Sequence, residues 1–205
     1  MDKQVPESTD NWKSRLWKRR NKWFWLGIPA GGYRLFILGI GFLGGFNATL
    51  EHFSTNEFCI SCHVMEANVY PEYQQSSHYS NRTGVRATCD SCHIPKPWFA
   101  KVQRKAQATL HEVPHWLMGT IDTPEKYEAR RLHLAKRVWS TMKENDSREC
   151  RNCHEVNHMD LKAQARSARS KHKVKRMVER NETCIDCHQG VAHKLPEGWE
   201  DGFEE

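Results

Sequence analysis

The sequence is poor in apolar residues. Only 38% of its 205 residues are hydrophobic, and the mean hydropathy is −0.80. Much of the apolar material lies near the start, so the remainder has little with which to build an ordinary core. Cysteine is missing everywhere except in four short words, which leaves none for a disulfide framework outside them. Also missing are the roughly 15–20 residues between cysteine pairs that a zinc ribbon needs, and the βαβ pattern expected around a thioredoxin-like dithiol. The one long apolar run is not followed by a good small-x-small cleavage site. A removable signal peptide is therefore disfavoured against an uncleaved anchor.

What is present is one word spelled four times, Cys-x-x-Cys-His. It reads Cys59-Ile60-Ser61-Cys62-His63, Cys89-Asp90-Ser91-Cys92-His93, Cys150-Arg151-Asn152-Cys153-His154 and Cys184-Ile185-Asp186-Cys187-His188. Two thiols at this spacing can add to the two vinyl groups of one haem, and the following His can ligate the iron. Zinc has no use for a His after every pair. All eight cysteines, Cys59, Cys62, Cys89, Cys92, Cys150, Cys153, Cys184 and Cys187, are consumed, which predicts four covalently bound c-type haems. Four porphyrins also repair the shortage of core, so the soluble part is expected to be haem-cored, mostly α-helical and rich in long irregular loops.

The net charge is +6. A basic balance can serve nucleic acid or a membrane surface. Here Lys13, Arg15, Lys18, Arg19, Arg20 and Lys22 are interleaved with Trp12, Trp17, Trp23 and Trp25. That mixture fits the cytoplasmic interface of a membrane helix, and no nucleic-acid role is read. The apolar run extends from about Gly31 to Leu50 and is long enough to span, with Arg34 free to snorkel. The expected organisation is a cytoplasmic basic segment over 1–30, a transmembrane signal-anchor helix over 31–52, a periplasmic tetrahaem domain over 53–197 and a tail over 198–205. The protein is then a single-pass inner-membrane protein of a bacterial cell, with the lipid bilayer as a partner.

The words fall into two similar pairs. His78 lies 11 residues before Cys89, and His172 lies 12 before Cys184. Thr88-Cys89 and Thr183-Cys184 open the second word of each pair. A duplicated two-haem unit explains this pattern. A low-spin electron-transfer haem wants two strong axial ligands. His93, His154 and His188 supply one each, and His78, His172 and His193 are the candidates for the other. His193 sits too few residues after His188 to reach round the same ring, so it is expected to cap a neighbouring haem. His158 is a weaker candidate. Met65 follows His63 closely and either ligates the first iron or packs on its porphyrin.

The four words after one anchor, the stretch Ser77-His78-Tyr79-Ser80-Asn81-Arg82-Thr83-Gly84-Val85-Arg86-Ala87-Thr88-Cys89 and the ending Gly190-Val191-Ala192-His193-Lys194-Leu195-Pro196 resemble the NapC/NirT family. The resemblance covers roughly residues 30–197 and is nearest to the type serving periplasmic nitrate reductase. It implies a quinol dehydrogenase that takes electrons from membrane menaquinol or ubiquinol and gives them to a periplasmic reductase, with nitrate reductase foremost. Nitrite or another reductase, or a passive carrier with no quinol site, are the alternatives. The resemblance also implies that Met65, rather than His63, ligates the first haem.

Quinol oxidation needs groups that accept protons beside a haem edge. The stretch from Pro97 to Glu112 reads as a helix, begun by Pro97 and stopped by Pro114. On it Lys101, Lys105, Ala108 and Glu112 share one face. By resemblance to the related nitrite-reductase partner subunit, Lys105 and Glu112 are the candidate quinol residues. The family has Asp where this chain has Glu112. Lys96, Lys101, His111 and Asp122 are substitutes.

Overall fold

The computed structural model describes residues 24–25 and 28–201. The expected basic, tryptophan-bearing segment lies almost wholly outside the described residues, as does the end of the tail. The chain divides into two units, Met1–Glu51 and His52–Glu205.

In the first unit a two-residue strand β1 (Phe24–Trp25) pairs antiparallel with β2 (Ile28–Pro29), Phe24 opposite Pro29. Helix α1 (Ala30–His52) follows. Its Gly31–His52 portion is long and apolar enough to cross a membrane. Two polar side chains near its end bond to the helix's own carbonyls, Asn47 Nδ2 to Leu43 O and Thr49 Oγ1 to Gly45 O, both at 2.8 Å. Satisfied in this way, they are tolerated in an apolar helix.

The second unit is helical throughout its regular structure, with no strand among its described residues. Short helices carry or flank the cysteine words. These are α2 (Asn56–Ile60), a π-turn (Met65–Val69), α3 (Tyr70–Gln74), α4 (Cys89–His93) and, later, α7 (Arg148–Arg151), α8 (Arg166–Lys171) and α9 (Val174–Arg180). Between them run two long helices, α5 (Trp98–Leu117) and α6 (Pro124–Glu144). The Thr123 hydroxyl caps α6 by accepting the Lys126 N–H at 3.3 Å, and Pro124 sits at its first position.

Helix α5 departs from expectation at both ends. Pro97 is the extended residue before the helix, not its first turn, and Pro114 lies inside it. A proline this close to the end removes one hydrogen bond, and the Met118 N–H still bonds Pro114 O at 3.0 Å. The stop comes at Gly119, which takes φ 62°. That left-handed turn suits glycine, and a Cβ there would lie 2.8 Å from the Asp122 carboxylate.

Buried apolar side chains of the second unit are few: Val64, Tyr73, Tyr127, Trp139, Val156 and Ile185. A buried ion pair joins them. Arg131 on α6 grips Glu72 of α3 with two hydrogen bonds, at 2.6 and 2.9 Å. Its guanidinium also lies over the Tyr127 ring.

Candidate functional site

The second, third and fourth cysteine words are each built on a tight helical turn, and the first begins at the end of α2. Residues i, i+3 and i+4 share a face of such a turn, so both cysteines and the histidine converge on one side. The second word is helix α4 itself. In the third and fourth, the histidine N–H bonds the first cysteine's carbonyl, His154 to Cys150 and His188 to Cys184, each at 2.9 Å.

The words are also fastened to one another. Cys59 and Cys89 lie side by side, and their interaction raises the Cys59 thiol and lowers Cys89 to about 7. Cys150 and Cys184 likewise adjoin, which raises the first and lowers the second to about 6. Cys92 and Cys153 are close enough to act on each other's charge. The first word thus touches the second, the second the third, and the third the fourth.

The two pairs share scaffolding. Asn56, three residues before Cys59, accepts the Cys89 N–H at 2.9 Å. Ser147, three before Cys150, accepts the Ile185 N–H at 3.1 Å and is fully buried. Thr88 pairs with Ser91 through its N–H and hydroxyl, at 3.2 and 2.7 Å. Thr183 does the same with Asp186, at 2.6 and 3.0 Å.

Three imidazole pairs face one another. His93 and His193 have ring centroids 6.3 Å apart, His154 and His78 6.1 Å, and His188 and His172 5.8 Å. A metal–imidazole bond is about 2 Å, so an iron between two rings sets their centroids about 6 Å apart. The rings are inclined at 32°, 77° and 17°. All three angles suit a shared iron, because each ring plane contains the metal–nitrogen axis whatever its rotation. His172 donates Nδ1–H to Gln164 Oε1 at 2.7 Å, and His78 donates Nδ1–H to Val191 O at 3.4 Å. This fixes the tautomer that leaves Nε2 free for a metal. The buried Nδ1 of His193 has no protein partner. Burial holds the His193 imidazole below its ordinary value. Crowding by protein atoms, then the nearby His193, pushes His93 down to about 4, although solvent still reaches its ring. Both are neutral at ordinary pH, the form that binds metal. The residues fit haem iron. Among the described residues no three His, Cys, Asp or Glu side chains cluster as a metal-ion site.

The structure brings His78, His172 and His193 to face histidines of the words. It also distinguishes the first two. His172 faces the word that follows it, whereas His78 faces the third word. The His78 loop is held by Asn81, which donates Nδ2–H to Ser77 O and Val85 O at 2.9 and 2.7 Å, and by the Tyr73 hydroxyl on Ala87 O. The His193 loop is held by Glu72, which accepts the Lys194 N–H at 3.0 Å. His158 is exposed beside Glu155 at 3.1 Å. Among the described residues no histidine ring stands against His63, and Met65 opens the π-turn, partly exposed.

Lys105 is half-buried and donates to Phe53 O. Burial lowers its ammonium from the ordinary value, opposed by the nearby Cys59. Glu112 is exposed and bound at 2.6 Å to Arg104, one residue before Lys105. Sequence reasoning missed Arg104, Gln164, Asn56 and Ser147. The equal offset of Asn56 and Ser147 from the first and third words was a readable signal. The other two depend on tertiary placement.

The profile of the NapC/NirT cytochrome c family, N-terminal region, matches residues 21–198. The denitrification system component NirT of Stutzerimonas stutzeri is 54% identical over 162 residues, 79% of each chain. The cytochrome c-type protein NapC of Escherichia coli K12 is 51% identical over 162 residues, 79% of this chain and 80% of that one. A protein of Allochromatium vinosum described as tetraheme cytochrome-c type is 48% identical over 162 residues, 79% of this chain and 86% of that one. No solved structure matches the chain.

Proposed function

The chain belongs to the NapC/NirT cytochrome c family, and from that premise we propose that it oxidises membrane quinol and passes the electrons to a periplasmic terminal reductase. The observation that carries this reading is the set of three imidazole pairs at iron-bridging distance, each joining a word histidine to one from elsewhere in the chain.

Covalently held haem c supplies one-electron chemistry at the four words. Cys59 and Cys62, Cys89 and Cys92, Cys150 and Cys153, and Cys184 and Cys187 hold the porphyrins. His93 with His193, His154 with His78, and His188 with His172 would hold three of the irons, and Met65 would serve the first, where no second imidazole stands among the described residues and electrons would enter. Two duplicated dihaem units are supported by the matched acceptors Asn56 and Ser147 and by the matched Thr88–Ser91 and Thr183–Asp186 bonds.

Lys105 lies next to the first word, near Cys59. Its ammonium can turn from Phe53 O to a quinol oxygen, and its lowered proton affinity suits exchange with that oxygen. Glu112 accepts the departing protons, one with each electron, and passes them to solvent. The substrate is menaquinol or ubiquinol. Segment 1–30 is placed in the cytoplasm, 31–52 in the inner membrane, 53–197 in the periplasm, and 198–205 as a tail. Nitrate reductase is the favoured electron acceptor. Delivery to nitrite or another reductase is the second reading, and the denitrification role in the name of the Stutzerimonas relative keeps it in view.

The test is reduction of the liposome-embedded protein by a quinol analogue, followed at the haem bands. Wild type should fill with electrons. Lys105→Gln and Glu112→Gln should do so at least about tenfold more slowly, since positioned acid–base groups contribute about 10²–10⁴-fold, and should keep four haems by pyridine haemochrome. Equal rates in both variants rule out these two residues. A wild type that the analogue does not reduce is a passive carrier.

A further inference from the structure

Helix α5 has a second face that the quinol reading leaves unused. At 3.6 residues per turn, Phe99, Leu110, Val113 and Leu117 align along one side of it. They are 82, 71, 43 and 71% exposed, and Trp116 borders them at 60%. Such a row of large apolar side chains in water marks a surface that something covers. The cysteine words do not meet this side. Lys105 is close to Cys59, and Arg104 and Glu112 act on His93, so the face that meets the words is the opposite one.

We propose that this outward face of α5 is a lipid-binding surface, a monotopic contact made in addition to the membrane span. Three observations select lipid over a protein partner. Lys105 ties α5 to the carbonyl of Phe53, the residue directly after the candidate span Gly31–His52. Beside that carbonyl, Phe53 and Phe58 are themselves exposed, their rings 4.7 Å apart. The polar side of α5 carries Lys101, Arg104 and Lys105 against the single acid Glu112. Apolar and aromatic residues on one side with basic residues on the other is the composition of interfacial helices, which favours anionic lipid. The inference rests on Gly31–His52 being a membrane span, and the test separates the two.

Because the four words consume every native cysteine, Leu110→Cys in the full haem-loaded chain gives a single site for a nitroxide label. The label is read in vesicles of mixed zwitterionic and anionic phospholipid with the haems left oxidised, each relaxation being referred to the same sample under argon. Labels at Ile40→Cys in α1 and Glu179→Cys in α9 serve as the lipid and water references. The Leu110 label should be relaxed more strongly by oxygen than by a water-soluble nickel chelate, as at Ile40 and opposite to Glu179. A Leu110 label that behaves like Glu179 while Ile40 reports lipid overturns the α5 proposal alone. A label shielded from both relaxants points to a protein partner and overturns it too. An Ile40 label that reports water removes the span, and this inference with it.

Discussion

Arg131 is the side chain on which the placement of His193 against the second word depends. It binds both oxygens of Glu72, and Glu72 in turn holds the Lys194 N–H, one residue from His193. Both partners are under one-tenth exposed. Replacing Arg131 by Met strands a buried carboxylate and should cost about 3–5 kcal/mol, the usual result of breaking a buried pair from one side. It should also loosen His193. The expected readout is a lower melting temperature together with a high-spin haem signal in the electron paramagnetic resonance spectrum, and a merely structural role would not produce the second. Burial by itself would raise the Glu72 carboxyl, but Arg131 and the Lys194 N–H outweigh it and hold the group below its ordinary value of 4.5. A depressed carboxylate stabilises the fold above its unfolded pKa, and that contribution is lost as pH falls through the folded one. Acid unfolding followed by circular dichroism should therefore set in below about pH 4.5, and less steeply in Glu72→Gln. Ser147→Ala should cost about 1–3 kcal/mol by leaving the Ile185 N–H buried without an acceptor. At this scale the words and the three histidines that face them were legible, because iron ligation restricts residue type and the repeated spacing singles out His78 and His172. Arg131, Glu72 and Gln164 were not. Nothing local distinguishes them from surface charges and amides until folding brings their partners in from distant segments.

The long helices α5 and α6 obey terminal chemistry more than internal propensity. In α6 the Thr123 hydroxyl meets an otherwise unpaired N–H. Thr123→Ala should lower stability by about 1 kcal/mol in a denaturant titration, with no change in haem content. The start of α5 was readable to within one residue. Its end was not, because proline was weighed as the breaker, and the glycine five residues later supplies the left-handed turn that closes the helix. The helical reading of the remaining chain was right in kind, but the short helices α3, α8 and α9 carry too few residues for a periodic signal.

Taken whole, the haem-bearing unit has few buried apolar side chains for its length, as its composition foretold. A chain expressed without thioether attachment should show no cooperative thermal transition by circular dichroism, whereas the haem-loaded chain should melt sharply. The family was readable because its motifs lie in short contiguous stretches. The pairing of histidines was not, because two of the three pairs cross from one half of the chain to the other. That crossing bears on how the molecule is made. As the polypeptide threads out N-terminus first, the second word waits for a residue not yet delivered, since His93 emerges long before His193. The third word finds its partner already out, since His78 precedes His154. During that interval a porphyrin on the second word would be held by its cysteines without His193. Maturation must therefore work on an open strand, and a premature stop near the C-terminus would strip a ligand from the second site while leaving its cofactor attached.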